Sequence, residues 1–202
     1  TLALLRRLGV DPSDPVVQRA IEATRAVRWE YGDVPFWDGE VEPCINGQTV
    51  AIGAYFGVGV TPIVDRLLGE RLDDGGWNCE VENGATVSSF HTIINVAEGL
   101  AQYLGSGLPG VEERRRAVEL ALAGAHEYLL SRRLMVRLSR GQLAHESFTS
   151  FRFPPQWYYD VLRALDHFRS AGVAPEARMS DAITVVRSKA DAEGRWPLER
   201  VH

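Results

Sequence analysis

The sequence predicts an all-α protein, an α/α toroid in which inner and outer helices alternate. Three observations predict it: apolar segments recur along the chain, amphipathic segments alternate with them, and glycine-bearing polar turns connect the two kinds. The chain has 202 residues, of which 45% are hydrophobic, and this is enough to bury a substantial core. We therefore expect a single domain over residues 1–202.

The apolar segments predict the inner helices. Each ends in an aromatic residue or Leu followed by small residues, and their ends align glycines such as Gly57 and Gly105. The copies are CINGQTVAIGAYFGVG from Cys44, HTIINVAEGLAQYLGSG from His91 and QWYYDVLRALDHFRSAG from Gln156. The opening TLALLRRLGV fits the last half of one more such helix, so we expect the toroid to be incomplete at its N-terminus.

The amphipathic segments predict the outer helices, because apolar residues recur at steps of three and four with charges opposite. They are VVQRAIEATRAVRW, PIVDRLLGERL, EERRRAVELALAGAHEYLLSRRL and MSDAITVVRSKA. Asp14 with Pro15, and Thr61 with Pro62, predict the caps and first turns of the first two. Turns with an acidic residue follow three of these segments, in FWDGEVE, DDGGWNCE and DAEGRWPLE. We expect the Trp of such a turn to lie across the helix ends.

Composition excludes several classes of function. The net charge of -5 argues against a nucleic-acid binder and provides no polybasic patch for an anionic membrane. No apolar run approaches the ~20 residues that cross a bilayer. The sequence has two cysteines, Cys44 and Cys79, which suit a reducing cytoplasm better than a disulfide framework. We therefore expect a cytoplasmic protein.

Two turns and one longer segment carry a family resemblance. DGGW at 74–77 and EGRW at 193–196 look like the turn motifs of squalene cyclases and protein prenyltransferase β-subunits, which share the terpenoid cyclase α/α toroid. The stretch GGWNCEVENGATVSSFHTIINVAEGLAQ, at 75–102, resembles the β-subunit segment in which a glycine-rich turn leads to Tyr-His-Thr at the start of an inner helix. Here that start reads Phe-His-Thr.

The resemblance implies a catalytic zinc ion. In the family the His is a zinc ligand, and the Asp-x-Cys that opens the preceding inner helix supplies two more. The matching residues here are His91, Glu42 and Cys44, with His91 following Cys44 by 91 - 44 = 47 residues, about one repeat. Cys79 is either a packed residue, which we favour, or a fourth ligand that would close the site. Glu42 replaces the family's Asp, and Ile45 stands where Tyr is usual.

Aromatic residues at the starts of the inner helices suit an isoprenoid, because their faces stabilise carbocations. Those predicted to bind it are Phe90, Trp157, Tyr158 and Tyr159, with core packing as the alternative role. Asn95 and Asp160 match in the repeat frame and are both expected to face the cavity. Asp160 is the candidate acid or base, or else the ion-pair partner of Arg152 or Arg163.

The leading hypothesis is therefore a prenyltransferase- or terpene-cyclase-like protein that binds a hydrophobic isoprenoid, with zinc as its metal. Two alternatives remain. One is a carbohydrate-active α/α toroid that uses paired carboxylates among Glu40, Glu42, Glu80, Glu82 and Asp160. The other is a non-enzymatic scaffold. The Asp-x-Asp-Asp motif of squalene cyclases does not occur, and no partner subunit follows from the sequence. The residues His126, His145 and His167 show no ligand spacing and are expected at the surface.

Overall fold

The computed structural model describes residues 1–200, and within them it is all-α. The helices are α1 (Leu2–Arg7), α2 (Pro15–Ala23), α3 (Pro43–Phe56), α4 (Thr61–Gly69), α5 (Phe90–Leu104), α6 (Val111–Ser131), α7 (Val161–Ser170) and α8 (Ser180–Ser188). Short 3-10 helices lie between them, and the extended backbone of these residues makes only isolated bridges. The predicted all-α class is confirmed.

The protein divides into two compact units, Thr1–Ala125 and His126–His202. Helices α1 to α5 belong to the first unit, α7 and α8 belong to the second, and the boundary falls within α6. Among residues 1–200, no helix combines the length and the apolar character that a membrane-spanning helix needs.

The predicted start of α2 is confirmed. Asp14 caps α2, because its Oδ1 accepts hydrogen bonds from the backbone N–H groups of Val16 and Val17. The residue before α4 is Val60, so Thr61 is the first helical residue and not the predicted cap. The helix predicted from Gln156, α7, begins at Val161, five residues later than predicted, because Asp160 caps it.

Helices α3 and α5 pack with their backbones in direct contact. A Cβ atom on Gly47 would lie 2.6 Å from both the carbonyl carbon and the carbonyl oxygen of Asn95, and one on Gly99 would collide with the carbonyl oxygen of Gly47. Gln48 Nε2 donates to Asn95 Oδ1 across this contact at 2.9 Å. Glycine is therefore required where the helices touch, and α3 and α5 are held side by side.

The Trp residues of the turns at 74–77 and 193–196 bind the ends of the preceding helices, α4 and α8. Trp77 Nε1 donates to the carbonyl oxygen of Leu67 in α4 at 2.7 Å. Trp196 Nε1 donates to the carbonyl oxygen of Val186 in α8, also at 2.7 Å. The bond from Trp77 satisfies a carbonyl group that the end of a helix leaves unpaired, whereas the Val186 carbonyl oxygen also accepts from the Lys189 N–H at 3.3 Å. The expectation that these Trp side chains lie across helix ends is confirmed.

Candidate metal centre and its cavity

Three residues of the first unit bring metal-ligand atoms together. One ligand atom each from Glu42, Cys44 and Cys79 lies within 4.8 Å of the other two. The Cys79 and Cys44 Sγ atoms are 2.8 Å apart, and the Cys44 thiol donates to Glu42 Oε2 at 3.4 Å. Both cysteines are free and half-buried. The structure thus assembles two sulfur atoms and one carboxylate at a single point.

The segment that enters α3 positions Glu42 and Cys44. Asn46, in the first turn of α3, accepts from the Glu40 N–H at 2.7 Å and donates to the Glu40 carbonyl oxygen at 2.6 Å. The Glu40 carboxylate in turn accepts from the Glu42 N–H at 2.7 Å. These bonds hold the residues before Pro43 close to the helix. The sequence did not single out Asn46, although an amide two residues after the cysteine could have suggested a local bond.

The loop after Trp77 positions Cys79. The Asp74 carboxylate accepts hydrogen bonds from both the backbone N–H and the hydroxyl of Ser88, which ties the two ends of the loop together. The Thr92 hydroxyl, in the first turn of α5, donates to Cys79 Sγ at 3.5 Å. The first turns of α3 and α5 therefore both contact the Cys79 sulfur, through Cys44 and Thr92.

The separation of the sulfur atoms lies between two chemical states. A disulfide would need about 2.05 Å. Two thiolates bound to one tetrahedral zinc ion, each at about 2.3 Å, would stand about 3.8 Å apart. From the observed 2.8 Å, the two sulfur atoms must approach by about 0.8 Å to form a disulfide. They must separate by about 1 Å to bind one zinc ion. Two thiolates and a carboxylate are ligand types that zinc favours, so the residues present fit the ion.

The protonation of the two thiols is linked. The hydrogen bond between them lowers the pKa of Cys79, and a second hydrogen bond from Thr92 acts in the same direction. The same sulfur–sulfur hydrogen bond raises the pKa of Cys44, as does its burial. Of the two thiols, Cys79 is therefore the one that loses its proton more readily. A bound cation would stabilise the second thiolate.

His91 does not join this group. It lies in the first turn of α5, and its ring nitrogens are outside the group of mutually close ligand atoms. Successive residues of a helix point about 100° apart, so when Thr92 is directed at Cys79, His91 is directed elsewhere. Of the four predicted metal ligands, the structure brings together Glu42, Cys44 and Cys79.

A cavity of about 600 Å³ adjoins the centre, and Glu42 and Cys79 are among its lining residues. Carboxylates dominate the rest of its polar lining. The glutamates that line it are Glu40, Glu42, Glu70, Glu80 and Glu82. The guanidinium among the lining residues is that of Arg66, and it donates to Glu70 at 2.6 Å. Tyr31 is the aromatic residue of the lining. The cavity therefore carries a negative charge beside the candidate metal ligands.

The predicted isoprenoid-binding residues of the first unit do not line this cavity. Phe90 is 8% exposed and belongs to the buried core. Asn95 is fully buried, accepts from Gln48, and donates to the carbonyl oxygen of His91 at 2.6 Å. Both residues have structural contacts that explain their presence.

The aromatic residues predicted in the second unit have separate environments. Tyr159 is buried, and its hydroxyl donates to the carbonyl oxygen of Leu134 at 2.5 Å. Trp157 is 53% exposed and its ring lies 5.2 Å from that of Tyr158, which also stacks beneath the Arg152 guanidinium. These three rings are thus divided between core and surface.

Asp160 is the N-terminal cap of α7. Its Oδ1 accepts from the backbone N–H of Arg163 at 2.9 Å. The residue is buried, and burial raises the pKa of its carboxyl group. An Asp before an apolar helix is a recognised cap signal, and this role accounts for the residue at this position.

The histidine predictions were correct for His145 and wrong for His167. His145 is exposed, whereas His167 is only 5% exposed. The Nε2 atoms of His126 and His167 lie 2.9 Å apart. Burial, together with the charge of His167, lowers the pKa of His126 to about 4. The apolar periodicity of α7 places His167 on its buried face, one residue before Phe168.

Comparison with known proteins identifies no relative. Searches against family models, curated proteins and solved structures gave no significant match. The resemblance to terpenoid cyclases and prenyltransferase β-subunits therefore stays a prediction from the quoted motifs. Support for the role of the site comes from its own geometry.

Proposed function

We propose that this protein binds zinc, with Glu42, Cys44 and Cys79 as the protein ligands. The observation that carries the proposal is the approach of their three ligand atoms to within 4.8 Å of one another. Three protein ligands leave one position of a tetrahedral zinc ion open, which is the arrangement of catalytic sites. Bound zinc would act as a Lewis acid and lower the pKa of a coordinated water or thiol.

In this proposal a substrate reaches the open coordination position from the cavity. Glu42 and Cys79 line the cavity, so a molecule held there is close to the metal ligands. The Glu40 carboxylate, itself buried, orients the backbone of Glu42. In this proposal Glu40 is a positioning residue, and Glu42 and Cys79 are the residues that a substrate approaches.

We propose prenyl transfer or terpene cyclisation, on an α/α toroid scaffold, as the reaction class. The turn motifs around Trp77 and Trp196 support the scaffold through the family resemblance, and the paired starts of α3 and α5 support a site at this point. The charge of the cavity limits the class of substrate. Five carboxylates line it and would repel a diphosphate group, and the one guanidinium of the lining is already paired with Glu70. An isoprenoid substrate in this cavity is therefore one without a diphosphate. Prenyl transfer releases diphosphate as its leaving group, so cyclisation of an uncharged isoprenoid is the reaction that fits this cavity.

A carbohydrate-active enzyme is the second candidate, because carboxylates rather than aromatic rings dominate the cavity lining. Glycoside hydrolysis requires an acid and a base or nucleophile from such a pair. Glu80 and Glu82, outside the proposed ligand set, are the residues available for these roles.

Metal analysis tests the zinc proposal. The reduced protein is expected to retain one zinc ion per molecule after gel filtration, measured by mass spectrometry of the metal. Cys44→Ser and Cys79→Ser are expected to lose it, and cobalt substitution should show sulfur-to-metal charge transfer that weakens in each variant. His91→Ala is the matched control, because the geometry predicts that it keeps the metal. Zinc retained by both cysteine variants, with native circular dichroism, contradicts the proposal.

Activity assays separate the two reaction classes. Zinc-loaded protein is incubated with uncharged isoprenoids and, separately, with chromogenic glycosides. Glycoside hydrolysis that is abolished in Glu80→Gln or Glu82→Gln but survives metal removal would favour the carbohydrate hypothesis. Zinc-dependent conversion of an isoprenoid would favour the first.

A further inference from the structure

We propose that Cys44 and Cys79 form a thiol–disulfide exchange site, which takes small cationic or neutral disulfides and responds by closing an internal disulfide. The part of this proposal that concerns metal release rests on the proposed zinc function. The exchange itself rests on the cysteine pair and its cavity alone.

The geometry leaves each cysteine one partner. These 202 residues contain two cysteines, so no third thiol among them competes for either. Their Sγ atoms are 2.8 Å apart, and closing the bond shortens this distance by about 0.8 Å. Cys44 lies at the start of α3, whereas Cys79 lies in the loop between α4 and α5. Closing the bond therefore moves this loop relative to the start of α3.

The two sulfur atoms differ in access. Cys79 lines the 600 Å³ cavity, and Cys44 does not. A disulfide reagent that enters the cavity therefore meets the Cys79 sulfur first. The Cys44 sulfur lies 2.8 Å from that of Cys79 and is therefore placed to resolve the mixed disulfide.

The exchange balances as two successive displacements. The Cys79 thiolate attacks one sulfur of the reagent, and the reagent's other half leaves as a thiolate. The Cys44 sulfur then attacks the Cys79 sulfur of this mixed disulfide, gives up its proton and releases the second half of the reagent. The two protein thiols are oxidised by two electrons, and one reagent disulfide is reduced to two thiols.

The charge of the cavity selects the reagent. The five glutamates that line it attract a cationic disulfide such as cystamine and repel the anionic disulfide of glutathione. Closure of the internal disulfide also removes both thiolate ligands from the proposed zinc site. Glu42 alone would not retain the ion.

The first experiment uses the metal-free, reduced protein of residues 1–202. Free thiols and intact mass are followed during reaction with cystamine and, in parallel, with oxidised glutathione at equal concentration. We expect both thiols to disappear together, the mass to fall by two hydrogen atoms, and cystamine to react at least about 10-fold faster at low salt. Accumulation of a stable mixed disulfide, of disulfide-linked dimers, or of unreacted thiols overturns the proposal.

Variants separate the steps. Cys44→Ser is expected to stop at the mixed disulfide on Cys79, detected as the added mass of half a cystamine. Glu80→Gln with Glu82→Gln keeps both thiols and is expected to reduce the rate difference between the two reagents. An unchanged difference contradicts the charge selection.

Zinc loading distinguishes this proposal from the proposed function. Loaded protein should release its zinc as the thiols disappear, measured with a chromogenic chelator. If the metal-free protein closes its disulfide but never binds zinc, the zinc function fails and the exchange site stands. If zinc binds but no internal disulfide forms, the reverse holds.

Discussion

The turn at 74–77 in the first unit and the turn at 193–196 in the second share a sequence pattern and differ in their surroundings. In both, the Trp indole donates to the carbonyl oxygen ten residues earlier at 2.7 Å. Trp77 is fully buried, whereas Trp196 is 48% exposed. The second position of the first turn is Gly75, against the backbone of Gly124, and its counterpart in the second turn has open space around it.

The two turns share the hydrogen bond of the motif and differ in the residues that surround it. The pattern of acid, glycine and Trp is accompanied by the same hydrogen bond to the end of the preceding helix in both units. The chemistry depends on the residues that follow. Trp77 is followed closely by Cys79 and the cysteine pair, whereas Trp196 is followed by Pro197. The motif therefore indicates a structural role and carries no function by itself.

Replacement of the two Trp residues should give the largest difference. Trp77→Ala removes a fully buried ring and is expected to lower the free energy of unfolding by about 3–5 kcal/mol. Trp196→Ala removes a half-exposed ring and should lower it by about 1 kcal/mol. Urea denaturation followed by circular dichroism measures both. Equal losses would show that the shared hydrogen bond, rather than burial, determines the contribution of the Trp.

Substitution of the turn glycines should give a smaller difference. Gly75 and Gly194 both have positive φ, so alanine is strained at either position by about 1–2 kcal/mol. At Gly75 the added Cβ would also lie 3.2 Å from the carbonyl oxygen of Gly124, which raises the expected loss to about 2–3 kcal/mol. The same denaturation assay applies. A larger loss for Gly194→Ala would contradict the packing described for the first turn.

Acid should affect the second unit through His126. Its pKa of about 4 in the folded protein is below the usual 6.5, so the unfolded state binds the proton more readily. Stability is therefore retained above pH 6.5 and lost as the pH falls toward 4, by about 1–2 kcal/mol between pH 7 and pH 5. His126→Gln should flatten this part of the stability profile. An unchanged slope in the variant would assign the acid sensitivity to other groups.

The acidic residues that open the two turns should give the smallest difference. Asp74→Asn weakens the charge-assisted bonds to Ser88 and should lower stability by about 1 kcal/mol. It should also weaken zinc binding, because the loop that carries Cys79 is less well held. Glu193→Gln disrupts an exposed ion pair with Arg195 and should leave both properties unchanged. Competitive zinc titration and thermal melting are the measurements.

The sequence predicted those parts of the fold that depend on local interactions. Helical periodicity located the eight helices, and Asp14 with Pro15 marked the start of α2 because a cap acts within one turn. The same signal was present at Asp160, where it was interpreted as a candidate acid instead of a cap. The late start of α7 follows from that cap.

The candidate site was predictable in its location but not in its full composition. The repeat spacing placed the starts of α3 and α5 together, and Cys44 and Thr92 do meet there at Cys79. The rotation of a helix about its axis is set by packing, and one residue changes the direction of a side chain by about 100°. Sequence alone therefore could not decide between His91 and Thr92. The partner sulfur comes from a loop whose path depends on the distant pair Asp74 and Ser88.

Gly47 and Gly99 let the backbones of α3 and α5 touch without a side chain between them. Such a contact leaves no layer of side chains that could be compressed, so the two helices are expected to move together as a unit. A graft of the cysteine pair into another scaffold therefore needs both helices with their glycines, together with the loop that carries Cys79.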